Sequence, residues 1–139
     1  MYDLAIIGGG PAGVSAGVYA SRKQIKTIFI AKEFGGQSVV SPDIQNWIGT
    51  ISIPGDKLAK DLEAHLGAYA GDVVDIEKGA LVNKIEKKDD HFVVHTDKDK
   101  SYEAKAVLVA TGSTRRKLEV PGAEEFDNKD RKSTRLNSS

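Results

Sequence analysis

An apolar strand that runs straight into three glycines leaves a chain few options. "YDLAIIGGGPAGVSAGVYASRK" opens with the Ile-rich run Tyr2–Ile7, meets Gly8-Gly9-Gly10, and continues in small residues at helical spacing from Pro11. The run reads as a buried strand, and Pro11 suits the first turn of a helix. "KTIFIA" then supplies a second buried strand, Thr27–Ala31. Strand, helix and strand over about thirty residues form a βαβ unit with parallel strands and a right-handed crossover. Gly8, Gly10 and Gly13, with Pro11 and Ala12 between them, satisfy G-x-G-x-x-G at its turn. Gly8 permits the tight turn, Gly10 lets a pyrophosphate approach the backbone, and Gly13 lets helix and strand pack closely. The free N–H groups and the positive dipole end of the helix then face the phosphates. A glycine-rich turn in another α/β protein is the alternative, but the flanking strand and helix are the context a dinucleotide site requires. Glu33 ends the second strand about twenty residues after Gly13, where an acid holds a ribose hydroxyl. Its competing reading is a solvated pair with Lys32.

Residues 32–54 are a long irregular stretch containing Trp47 and several isoleucines, a composition that argues against disorder and for a functional loop. A helix is predicted from Asp56 to Ala70, with Leu58, Leu62, Leu66 and Tyr69 on one face and Gly71 as its stop. "DVVDI" reads as a third strand. From Gly79 the period shifts to two: "ALVNKIE", "HFVVHT" and "SYEAKAVLVAT" are separated by the polar turns "KKDD" and "DKDK", which predicts an antiparallel meander. Its last segment contains the unbroken apolar run "AVLVA". Such a run predicts a strand buried on both faces that re-enters the parallel sheet. His91 and His95 share a strand face and read as solvated residues rather than metal ligands; His65 carries no assigned chemistry.

Composition removes whole classes of function. With 139 residues, 40% hydrophobic and 29% charged, the chain is of ordinary globular make-up. It is long enough for one domain and not comfortably two. Setting aside Asp130, Arg131, Lys132 and Arg135 leaves 17 of the 20 basic and 19 of the 20 acidic residues, no footprint for nucleic acid. No apolar run approaches the ~20 residues needed to span a bilayer, and strand-like sequence from Tyr2 leaves no room for a signal peptide. We therefore expect a cytoplasmic protein with no membrane partner. The absence of cysteine excludes dithiol chemistry and thiolate metal sites within this chain. No residue here is assigned a catalytic or metal-binding role.

Four elements together, "IIGGGPAG", "FGGQ", "IQNWIG" and "VLVATGS…VPG", resemble the thioredoxin reductase-like flavoproteins, including the flavoprotein subunit of alkyl hydroperoxide reductase. The resemblance covers residues 2 to about 129. It implies an α/β fold: a Rossmann-like FAD-binding domain whose parallel sheet carries an antiparallel β-meander crossover, here truncated. It implies FAD as ligand. Gly8, Gly10, Pro11, Ala12 and Gly13 would surround the pyrophosphate. Gly36 and Gln37 would follow the ADP ribose towards the ribityl chain. Asn46 matches an asparagine close to the flavin, Val82 lies where the backbone meets the adenine, and Thr111 and Gly112 match the "ATG" turn near the flavin. Gln37 and Asn46 could alternatively satisfy backbone groups of a long loop, and Trp47 reads as a packing anchor.

Members of this family also carry an NAD(P)-binding domain after the "VPG" region and a returning segment that completes the flavin domain, many of them with a redox-active CxxC. This sequence has no second glycine fingerprint and no cysteine. We expect residues 1–129 to be the N-terminal part of an FAD-binding domain. "DRKSTRLNSS", residues 130–139, matches one reading frame of a widely used sequencing adapter (GATCGGAAGAGCACACGTCTGAACTCCAGT) and is expected to be non-native. The rival is a natural basic tail. The resemblance implies that the parent enzyme passes electrons from NAD(P)H through FAD to a redox acceptor protein, thioredoxin-like or peroxiredoxin-type, as a homodimer when full length. The fragment alone is expected to be inactive. Alternatives are a ferredoxin/flavodoxin–NADP reductase-like member without CxxC, a non-catalytic FAD-binding module, and an ordinary NAD dehydrogenase domain. The meander argues against the last.

Overall fold

The computed structural model describes residues 1–114. In chain order they form β1 (Tyr2–Ile7), α1 (Pro11–Arg22), β2 (Thr27–Ala31), a 3-10 turn (Gly36–Val40), α2 (Gly55–Ala70), β3 (Val74–Lys78), β4 (Val82–Lys87), β5 (Phe92–Thr96) and β6 (Ser101–Val109). The strands make one six-stranded sheet of order β3-β2-β1-β6-β5-β4. β3, β2, β1 and β6 are parallel neighbours, whereas β5 runs antiparallel to both β6 and β4. The fold is α/β and Rossmann-like, with the meander returning to the parallel sheet as the sequence predicts. β6 joins the two regimes. Ser101–Ala104 pair with β5, and Ala104–Val109 pair with β1.

Strand alternation sorts the core into two layers. Ile6 and Phe29 face the helices, where Val14 and Val18 of α1 and Leu58, Leu62 and Leu66 of α2 close over them. Ala5, Ile7, Ile28 and Ile30 face the other way, against Ala80, Val94 and Ala104. The meander thus occupies the face opposite the helices, and β2 is buried along its whole length. Gly17 lets the two helices approach: a Cβ there would lie 2.7 Å from Leu66 Cδ1 and 3.3 Å from Phe29 Cδ2. Trp47 packs against the helix-side core, as its reading as an anchor predicts.

The "AVLVA" run departs from expectation. Leu108 and Val109 are 36% and 61% exposed. The helices pack chiefly over β1–β3 rather than over β6. Tyr69 also turns outward, because Ala70 takes the buried place after Leu66; its ring lies 5.3 Å from that of His65 and 5.8 Å from the Arg22 guanidinium. The third strand starts two residues later than "DVVDI" suggests. Gly71 (φ +48°) and the Val73 N–H to Ala70 carbonyl bond (3.0 Å) spend Asp72 and Val73 on the turn. The long loop after β2 holds a 3-10 turn and a bridge between Ile44 and Ile53. The "VPG" segment and residues 130–139 lie outside the described residues.

Candidate functional site

The carboxyl ends of β1, β2 and β6 lie side by side, and the glycine turn, Gly36, Gln37, Thr111 and Gly112 lie at that edge. In open α/β sheets this edge is where ligands bind. Gly8 continues the β1 ladder, its N–H donating to the Ile30 carbonyl at 3.0 Å, while the Ala110 N–H donates to the Ile7 carbonyl at 2.8 Å. Its φ of +121° demands glycine, and a Cβ there would sit 2.0 Å from the Ala110 carbonyl oxygen and 3.2 Å from Thr111 N. A Cβ at Gly13 would sit 1.9 Å from the Gly8 carbonyl oxygen, so the helix rests directly on the turn. Gly10 is different. A Cβ there would meet only the Gly36 Cα, at 3.8 Å, leaving open space above the backbone.

Gly10 is also the N-cap of α1, with Pro11 in the first turn, no acidic residue in that turn and no side-chain cap. The N–H groups of Ala12 and Gly13 therefore have no intrahelical acceptor, and they add to the positive end of the helix dipole. A pyrophosphate fits this arrangement: an uncapped helix start, no competing carboxylate, and a backbone left bare where a Cβ would intrude. Glu33 sits at the end of β2 with an exposed side chain; no ion pair with Lys32 forms among the described residues. Its carbonyl oxygen would touch a Cβ on Gly9, at 2.3 Å.

Gly36 closes over Gly10, and Gln37 Nε2 donates to the Ser113 carbonyl, which links the loop after β2 to the turn at Thr111-Gly112. Val82 and Thr111 share the lining of a cavity of about 270 Å³ with Ile7, Lys84, Ile85 and Val109. Asn46 is exposed in the loop between Ile44 and Ile53, and no hydrogen bond among the described residues ties it to the glycine turn. Sequence reasoning passed over Gly9, Gly35 and Gly55. Gly35 takes φ +96° and donates its N–H to the Gly9 carbonyl at 2.8 Å, and a Cβ on Gly55 would lie 1.8 Å from the Ser38 carbonyl oxygen. The glycine runs "GGG" and "FGG" were the available signal for the first two.

Shifted titrations lie away from this edge. Burial, and then the hydrogen bond to Asp75, pushes the Tyr2 hydroxyl up to about 12. Burial, followed by Glu77, raises Tyr102. The histidines expected to be merely solvated each meet a carboxylate. His95 Nε2 lies 2.6 Å from Glu86 Oε1 and His91 Nδ1 lies 2.6 Å from Asp90 Oδ1. These contacts hold the Glu86 and Asp90 carboxyls below their ordinary range, Lys88 and Lys84 adding to the effect on Glu86. Among the described residues no group of histidines and carboxylates is arranged to hold a metal ion, and no helix is long and apolar enough to cross a membrane.

Comparison with known proteins places this geometry. The family model described as pyridine nucleotide-disulphide oxidoreductase matches residues 2–137. An NADH dehydrogenase of Bacillus subtilis is 38% identical over 128 residues, 92% of this chain and 24% of the relative. An alkyl hydroperoxide reductase subunit of Escherichia coli is 34% identical over 128 residues, 92% of this chain and 25% of the relative. Among solved structures, thioredoxin reductase from Lactococcus lactis superposes with a TM-score of 0.81 at 34% identity, over 91% of this chain and 40% of that one. Thioredoxin reductase from Streptococcus pyogenes gives 0.77 at 40% identity, again over 91% and 40%. The chain spans about a quarter of the length of the curated relatives it matches. From fold, glycine turn and these likenesses together, the chain belongs to the pyridine nucleotide-disulphide oxidoreductase family.

Proposed function

We propose that the full-length protein carries electrons from NAD(P)H through FAD to a disulfide acceptor, and that this chain supplies the FAD cradle. The observation that carries the reading is the bare backbone at Gly10, opposite Gly36, at the uncapped start of α1. Gly8, Pro11 and Gly13 hold the turn in place, while the N–H groups of Ala12 and Gly13 donate to the pyrophosphate. Glu33 accepts from a ribose hydroxyl at the end of β2. The apolar wall of Ile7, Val82, Ile85 and Val109 suits the flat adenine, and Thr111 lies on the side nearer the glycine turn. Gly36, Gln37, Asn46 and Gly112 complete the walls towards the ribityl chain and flavin. When bound, FAD supplies the hydride-accepting redox chemistry; the residues of this chain bind it, orient it and exclude water from its phosphates.

NAD(P)H and the disulfide would meet the flavin through parts of the protein beyond this chain. Relatives named thioredoxin reductase and alkyl hydroperoxide reductase support a thioredoxin-like or peroxiredoxin-type acceptor. The NADH dehydrogenases, 38% identical, support a second reading in which the acceptor is not a disulfide. Purified chain should carry flavin, read by its absorbance band near about 450 nm, without oxidising NADPH. A chain that takes up no FAD under any condition overturns the cradle. The same chain oxidising NADPH overturns the division of labour. We propose that residues 130–139 are translated sequencing adapter rather than native protein; amplification from source DNA that recovers the same codons would refute it.

A further inference from the structure

Two loops face each other at the mouth of the proposed cradle, and each turns on left-handed glycines. After β2, Gly35 and Gly36 (φ +96° and +55°) lead into Gln37; after β6, Gly112 (φ +66°) leads into Ser113. Each loop is anchored at its base to the β1 side, Gly35 N–H to the Gly9 carbonyl and Ala110 N–H to the Ile7 carbonyl, both at 2.8 Å. Past those anchors, the hydrogen bond among the described residues that joins the loops to each other is Gln37 Nε2 to the Ser113 carbonyl, across 76 positions of sequence. Family resemblance implies that Gln37 follows the ADP ribose towards the ribityl chain, among the cofactor-binding residues. One of the two amide N–H groups of that side chain donates to a protein carbonyl, which leaves its second N–H and its Oε1 for other partners.

We propose that Gln37 is a positioning residue, a clasp that fixes the spacing of the two cradle walls before the dinucleotide arrives. The inference rests on the dinucleotide reading of the site and deepens it. The loop after β2 is braced on α2, where the Gly55 N–H donates to the Ser41 carbonyl at 2.9 Å. The turn after β6 passes through a glycine at positive φ with no side chain to hold it, so without the tie that wall samples positions that do not match the ligand. A smaller competent fraction weakens apparent affinity by that same fraction. The loss falls on association, whereas a severed direct contact falls mainly on dissociation.

The test compares Gln37→Ala, Gln37→Glu and the shorter amide Gln37→Asn with the unaltered 139-residue chain. Glu cannot donate when ionised, and Asn keeps the amide but shortens its reach. Gln37 is exposed, so all three should melt as the parent does. Without ligand, amide hydrogen exchange in residues 35–38 and 111–114 should speed about three- to tenfold, the worth of one exposed hydrogen bond. FAD association should slow by a similar factor with dissociation little changed. Exchange identical to the parent, with only FAD dissociation accelerated, overturns the clasp and leaves Gln37 a ligand contact. If no form binds FAD, the dinucleotide reading fails, and the exchange rates still decide whether the clasp exists.

Discussion

Gly10 and Gly13 stand three residues apart in one turn, yet substitution should separate folding from binding. At Gly13 a new Cβ would lie 1.9 Å from the Gly8 carbonyl oxygen, about 1.5 Å short of the 3.4 Å where ordinary contact begins. The obstacle is backbone, so α1 or the turn must move. Overpacking of this kind costs about 3 kcal/mol, the upper end of the usual range, and the gain in helix propensity returns about 1 kcal/mol. Gly13→Ala should therefore lose about 2 kcal/mol and, at roughly 4 °C per kcal/mol, about 8 °C in Tm. At Gly10 the backbone is extended (φ −78°, ψ −173°), which alanine adopts freely, and the nearest atom would be 3.8 Å away. The poorer N-cap and the stiffer unfolded chain nearly cancel, so Gly10→Ala should melt within about 0.5 kcal/mol of the parent. The same methyl would fill the space assigned to the pyrophosphate. A displacement costing about 3 kcal/mol weakens FAD binding about 100-fold. Thermal melts by circular dichroism and titration of FAD fluorescence read both arms. Gly10→Ala binding FAD like the parent refutes the cradle, and a Gly10→Ala melt lower than that of Gly13→Ala refutes the steric argument.

Gly55→Ala, with its Cβ 1.8 Å from the Ser38 carbonyl oxygen, should cost about 2–3 kcal/mol by chemical denaturation although it touches no proposed ligand; a neutral result would show that the loop after β2 yields freely. Tyr2 has a raised folded-state pKa of about 12, so its contribution is complete below the ordinary value of 10.0 and lost as pH rises from there through 12. Tyr2→Phe should flatten that alkaline limb in stability curves taken at successive pH values, and an unchanged limb would disprove the link to Asp75 and burial. Glu86 is depressed below 4.5, so its contribution is present above that pH and fades as pH falls through the lowered value. Glu86→Gln should lower the neutral plateau slightly and leave stability at the lowest pH unchanged, which removes part of the acid limb below pH 4.5, and an acid limb equal to the parent's would sink the pairing with His95.

What the sequence disclosed follows from how far each signal reaches. β1 and β2 were legible to the residue because their apolar runs are buried up to the glycine turn and the loop where the sheet stops. The same inference misled at "AVLVA", where the residues are as apolar but Leu108 and Val109 stand open. Hydrophobicity states what a strand can bury against, and the cover has to come from elsewhere in the protein. G-x-G-x-x-G gave Gly13 a role local to one turn, and the Gly8 carbonyl that a side chain would strike there matches it; the positive φ of Gly8 is equally local, although the Ala110 carbonyl it would strike is not. At Gly9 and Gly55 the reason for glycine was hidden: what excludes a side chain there is the carbonyl of Glu33 or Ser38, brought in by tertiary folding. Gln37 belongs with them. Its type fits either a ligand or a loop backbone, and the approach of Ser113, 76 residues away, adds a backbone partner that no motif announces. Motifs therefore located the turn proposed as the cradle, while the contacts around it depend on residues that no motif links.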